Sequence, residues 1–112
     1  MFDEVAKDLH ETAVEKGFWG IAYNNDDKES LDIFMTKQLM MIVSEAVEVM
    51  EAIRKDKGEE EVADEMADII IRTLDLYAGL VENGYTNISL DYAVKKKTQI
   101  NETRPEMHGV KF

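Results

Sequence analysis

The chain has no cysteine, one proline, six glycines and no long apolar run in its 112 residues. Without cysteine there can be no disulfide, no zinc–thiolate site and no thiol nucleophile. Few glycines, a lone proline and few hairpin-turn signals favour an all-helical fold. No stretch approaches the ~18–20 apolar residues of a membrane span, and the N-terminus lacks a signal-peptide pattern, so a soluble, cytoplasmic protein is expected. Positive charge is scarce too: 13 Lys and Arg stand against 24 Asp and Glu, a net charge of −11. That balance argues against a nucleic-acid surface, which presents a basic patch. An anionic small ligand remains compatible with it, because bound metal ions reverse the local sign of an acidic site.

What is present reads as a single domain over residues 1–112. The hydrophobic content of 45% suits a globular chain with one modest core. Helical spacing of Phe2, Val5, Ala6, Leu9 and Ala13 predicts a first helix over about Asp3 to Lys16, ended by Gly17. A polar connection, Tyr23 to Glu29, follows. Ser30 is the expected N-cap of the second helix, with Asp32 in its first turn. Its core face is Leu31, Phe34, Met35, Leu39, Ile42, Ala46, Val49, Met50 and Ile53, and it reaches Arg54 or Lys55. Lys55-Asp56-Lys57-Gly58 forms a turn. The third helix runs from near Glu59–Glu61 to about Glu82, burying Val62, Met66, Ile69, Ile70, Thr73, Leu76, Tyr77 and Leu80. Asn83-Gly84 stops it. Ser89 caps a fourth helix that ends near Thr103, because Pro105 disfavours helix in the residue before it. Residues Glu106 to Phe112 read as a coil. The expected architecture is an all-α, four-helix bundle-like subunit with a central antiparallel helix hairpin.

Two acidic pairs lie inside the hairpin, Glu45-x-x-Glu48 and Glu65-x-x-Asp68, each embedded in apolar sequence. Residues three apart share a helix face, with β-carbons about 5–6 Å apart, so each pair aims two carboxylates one way. Either pair alone would pass for a solvated face. Both, however, border core stripes: Gln38, Met41 and Ala52 beside the first, Val62, Ile69 and Leu76 beside the second. Four converging carboxylates oppose one another's ionisation, and a bound cation removes the conflict. An all-oxygen set points to a hard ion, Mg²⁺ with Mn²⁺ as substitute. Glu51, Glu61, Asp64 and Asp75 are nearby acids that could assist. Arg72 reads as a structural partner of Asp68 or Asp75.

On the fourth helix Lys97, Asn101 and Arg104 fall along one stripe. They form either a phosphate-binding set, with a point charge, an amide and a planar fork, or a plain basic surface like Lys95 and Lys96. Trp19 either stacks on a nucleobase or anchors packing. His10 is expected at the core boundary, and His108 is a candidate phosphate contact in the tail.

The combination resembles the MazG-like nucleoside triphosphate pyrophosphohydrolases of the all-α NTP pyrophosphatase superfamily. The superfamily signature is E-x-x-E, a variable spacer, then E-x-x-D; here sixteen residues separate Glu48 from Glu65. Lys97-x-x-x-Asn101-x-x-Arg104-Pro105-x-x-His108-Gly109-x-Lys111 is similar to the closing segment of small members. Many members carry Glu-Glu-x-Gly-Glu at the first motif, where this chain has Ser44 and Val47; the metal ligands are kept and the subfamily stays open. The resemblance implies Mg²⁺-dependent hydrolysis of (deoxy)nucleoside triphosphates to the monophosphate and pyrophosphate, a nucleotide-pool housecleaning reaction. It implies Glu45, Glu48, Glu65 and Asp68 as metal ligands, with either Glu45 or Glu48 orienting or deprotonating the attacking water. Lys97, Asn101, Arg104, Trp19 and His108 become the substrate-binding set, and a homodimer or dimer of dimers the expected assembly. Competing readings are a dUTPase-like or phosphoribosyl-ATP-specific relative, and a non-catalytic helical oligomer that binds metal or nucleotide. A di-iron carboxylate bundle is disfavoured, since neither pair is Glu-x-x-His.

Overall fold

The computed structural model describes residues 1–23 and 27–104. Among them the chain is all-helical, with α1 Phe2–Glu15, α2 Gly20–Tyr23, α3 Lys28–Arg54, α4 Glu59–Glu82 and α5 Leu90–Glu102. The extra element is α2, a single turn that ends on Tyr23, the first residue of the expected connection Tyr23–Glu29; Lys28 and Glu29 already belong to α3, and residues 24–26 lie outside the described residues. The N-cap of α3 is Asp27, not Ser30: the Asp27 carboxylate accepts from the Ser30 N–H at 3.3 Å and the Ser30 hydroxyl at 2.7 Å. Ser30 thus sits inside the first turn as a donor. Asp32 consequently falls beyond the first turn, where it accepts from Lys28 Nζ at 2.7 Å and from the Tyr85 hydroxyl. Those contacts tie the connection after α4 to the start of α3.

α4 packs against both α3 and α1. Between α3 and α4, Gly58 at φ 101° supplies a conformation that side chains resist, and Lys57 N–H closes back on Ala52 at 2.9 Å. The core lies towards the α2 end, where Trp19, Ala22, Phe34, Met35 and Leu76 cluster with Ala13, Leu31, Ile42 and Leu80 packed around them. Several residues expected in the core are not there: Leu39, Met50, Ile53, Met66 and Ile70 are all exposed. α3, about 40 Å long for its length, carries apolar residues on more than one face. Within one chain only the face turned to its neighbours is covered. Among the described residues no helix is long and apolar enough to cross a membrane.

α5 departs from the expected bundle. It buries no residue and packs only lightly on α1. Its start is held by an exchange of caps. Asp91 accepts from the Met1 ammonium at 2.6 Å and the Phe2 N–H at 2.6 Å, while Asp3 accepts from the Leu90 N–H at 2.8 Å and the Ser89 hydroxyl at 2.5 Å. Each carboxylate satisfies the open N–H groups of the other helix. The Met1 ammonium, with the Phe2 N–H behind it, holds the Asp91 carboxyl at about 2 rather than 3.8. The same bond raises the ammonium above its ordinary 8.0. Since the carboxyl is depressed, its contribution is complete above 3.8 and is lost as pH falls through about 2; the raised amine's contribution is complete below 8.0. Protection of the α5 amides, taken against the unfolded-chain exchange rate at each pH, is therefore expected to fall on acidification through that window. Asp91→Asn should show the low protection already at neutral pH, and equal protection in the variant would overturn this account.

Candidate functional site

The packing of α3 on α4 brings Glu45, Glu65 and Asp68 together: one carboxylate oxygen from each lies within 4.8 Å of the others. Glu45 and Glu65 are partly buried and Asp68 is exposed. Glu48 is exposed and outside this trio, yet it is the strongest of the charges acting on Glu65. Loss of solvation, followed by repulsion from Glu48, Glu45, Asp68 and Glu61, pushes the Glu65 carboxyl above its ordinary value. Of the four acids expected at the site, three converge closely and the fourth adds to their field.

Arg72 does not take Asp68 or Asp75. Its Nε donates across the helix pair to Glu45 Oε1 at 3.1 Å. Beside this contact is a cleft of about 390 Å³, walled by Glu45, Asp68 and Arg72 and by Thr12, Lys16 and Phe18 from α1 and the turn after it. A second hollow, about 330 Å³, shares Phe18, Arg72 and Asp75 and adds Lys37 and Gln38. Carboxylates and cationic side chains thus border two hollows that share Phe18, Arg72 and Asp75, an arrangement that can hold a cation next to an anionic ligand. Lys16 and Lys37 carry no motif; only the fold puts them here. A larger hollow, about 410 Å³ over His10 and Tyr23, takes in Glu82 at the end of α4 but none of Glu45, Glu48, Glu65 and Asp68.

Trp19 is placed in the core, 2% exposed. Its Nε1 donates to Asp75 Oδ1 at 3.0 Å, and its ring meets His10 edge-on, with centroids 4.6 Å apart. Within one chain its faces serve packing, and the aromatic open to the cleft is its neighbour Phe18, 68% exposed. His10 is not a boundary residue but a buried one. The Asp75 carboxylate accepts from His10 Nδ1 at 2.8 Å, and the Tyr23 hydroxyl lies 2.6 Å from Nε2 on the other side of the ring. Burial, with the Glu82 charge next, raises Tyr23 above its ordinary 10.0, so it keeps its O–H.

Lys97 and Asn101 on α5 and Arg104 just past its end are exposed and line neither cleft beside the carboxylates. The chain does not bring them to the acidic site, because α5 is anchored at the far end of α1. His108 lies outside the described residues.

Compared with known proteins, the chain matches no family model, no curated protein and no solved structure.

Proposed function

We propose that this protein is a Mg²⁺-dependent nucleoside triphosphate pyrophosphohydrolase of the MazG-like kind, cleaving (deoxy)nucleoside triphosphates to the monophosphate and pyrophosphate. The observation that carries the reading is the convergence of Glu45, Glu65 and Asp68 from two helices, within 4.8 Å, with Glu45 and Asp68 on the wall of a cleft that also presents Arg72 and Lys16. The donors fit the metal. They are all oxygens, as a hard cation requires, and the raised Glu65 carboxyl marks a place where positive charge relieves strain. When bound, Mg²⁺ supplies neutralisation of the triphosphate and polarisation at the α-phosphorus.

The chain's own residues do the rest. Glu45, Glu65 and Asp68 hold the ion. Glu48, exposed beside Glu65, orients the water for in-line attack. Lys16 and Arg72 draw the phosphates into the cleft and steady the departing pyrophosphate. Phe18 offers an aromatic face at the same mouth.

α3 and α4 form an antiparallel hairpin through which subunits associate as a dimer or dimer of dimers. Support comes from the open side of α3, where Ile33, Met40, Val43, Val47 and Met50 are all 47% exposed or more. Their spacing of seven, three, four and three is that of a coiled-coil seam.

The test is a panel of NTPs and dNTPs with Mg²⁺ and then with EDTA. Metal-dependent release of pyrophosphate and the matching monophosphate is expected, and the ranking of bases identifies the substrate. A folded protein that binds Mn²⁺ but turns over none of them would instead be a binding module.

A further inference from the structure

We propose that Arg72 is the resident counter-cation of the carboxylate site, holding Glu45 until the metal ion arrives and then turning to the phosphates of the incoming substrate. The inference rests on the metal-site reading above.

Its basis is a choice of partner. Asp68 at i−4 and Asp75 at i+3 are the ordinary same-helix partners of an arginine on α4. Arg72 passes over both and donates across the helix pair to Glu45, 27 residues away, at 3.1 Å. Glu45 is one of the three converging carboxylates, so a cation already sits on the ligand set. The pair is only part-buried: the Glu45 side chain is 16% exposed and that of Arg72 39% exposed, so the guanidinium has room to leave. The bond uses Nε, and the terminal nitrogens of the planar fork are the groups that suit phosphate oxygens. Arg72 also borders both clefts, the one holding Asp68 and Lys16 and the one holding Lys37 and Gln38. A short rotation therefore exchanges one anionic partner for another.

The exchange has a consequence that a structural strut would lack. A guanidinium on Glu45 competes with a divalent ion for the same oxygen and repels it. Removing the guanidinium should tighten metal binding in the nucleotide-free protein, while weakening the hold on a triphosphate once metal is present.

Mn²⁺ titration calorimetry on wild type, Arg72→Gln, Arg72→Lys and Glu45→Gln tests this, followed by binding of a non-hydrolysable triphosphate analogue to the Mn²⁺-loaded proteins. Arg72→Gln is expected to bind Mn²⁺ roughly three- to tenfold more tightly than wild type at low salt. Its affinity for the analogue should fall roughly tenfold. Arg72→Lys keeps the charge without the fork, so its Mn²⁺ affinity should stay within about twofold of wild type while analogue binding weakens. If Arg72→Gln fails to fold, the Lys variant decides alone, and unchanged analogue binding in it overturns the proposal. Unchanged or weaker Mn²⁺ binding in folded Arg72→Gln, with binding lost in Glu45→Gln, makes Arg72 a strut and leaves the metal site standing. Absence of Mn²⁺ binding in folded wild type removes both.

Discussion

Glu65→Gln is expected to lower pyrophosphate release at least about a hundredfold and, in the metal-free protein, to raise the melting temperature. The two effects have opposite sign for one reason. Under the proposed function Glu65 serves an ion, and it has lost solvation and faces Glu48, Glu45, Asp68 and Glu61. Without the ion its charge is a burden, so the neutral amide relieves repulsion; with the ion, the same amide is a poor ligand. The pH dependence follows from the raised carboxyl. Above its folded-state pKa, Glu65 opposes folding, and below its ordinary 4.5 it is protonated in both states. The stabilisation of Glu65→Gln should therefore be present at neutral pH and vanish as pH falls below 4.5. Adding Mn²⁺ should stabilise wild type and leave the variant nearly unmoved. Thermal melts by circular dichroism, with EDTA and with Mn²⁺, read all of this without an assay. A variant that keeps wild-type turnover would falsify the site assignment.

Gly79→Ala should be strongly disruptive for a single added methyl. Taken locally, replacing a mid-helix glycine by alanine stabilises by about 1 kcal/mol. Here the sign reverses. An added Cβ would come within 2.6 Å of three carbons of the Trp19 six-membered ring. The ring cannot step aside, because Nε1 is bonded to Asp75 and the ring is flanked by His10 and Phe34. Overpacking of this kind costs about 3 kcal/mol or more, a large part of the roughly 5–15 kcal/mol that holds a domain together. The melting temperature should fall by roughly 10–15 °C, with loss of the near-ultraviolet tryptophan signal. A change of under about 2 °C would mean that Trp19 does not lie against α4 at this point.

The sequence by itself determined where the long helices lie and which face carries the acids. α4 spans Glu59–Glu82 and α5 starts after the Ser89 cap, both as the periodicity and the capping residues predict. The convergence of Glu45 with Glu65 and Asp68 was legible for the same reason: i, i+3 spacing and a four-residue turn are short-range features that few alternatives can mimic. The start of α3 was less so, since Asp27 and Ser30 are both good caps three residues apart and each can serve the other.

Only the tertiary structure decided between partners that sequence makes equivalent. Arg72 had Asp68 and Asp75 at helical spacing and took Glu45. Asp3 and Asp91 lie in the first turns of α1 and α5, and each caps the other's helix. Trp19 followed a glycine in either a packing or a stacking role, and the close approach allowed by Gly79 seats it in the core. α3 offered apolar residues on several faces, of which one is covered by this chain. Spacing fixes which side chains share a helix face, because that depends on a few neighbouring dihedral angles. Which distant element meets the face depends on how all the helices pack at once, and no local pattern encodes it.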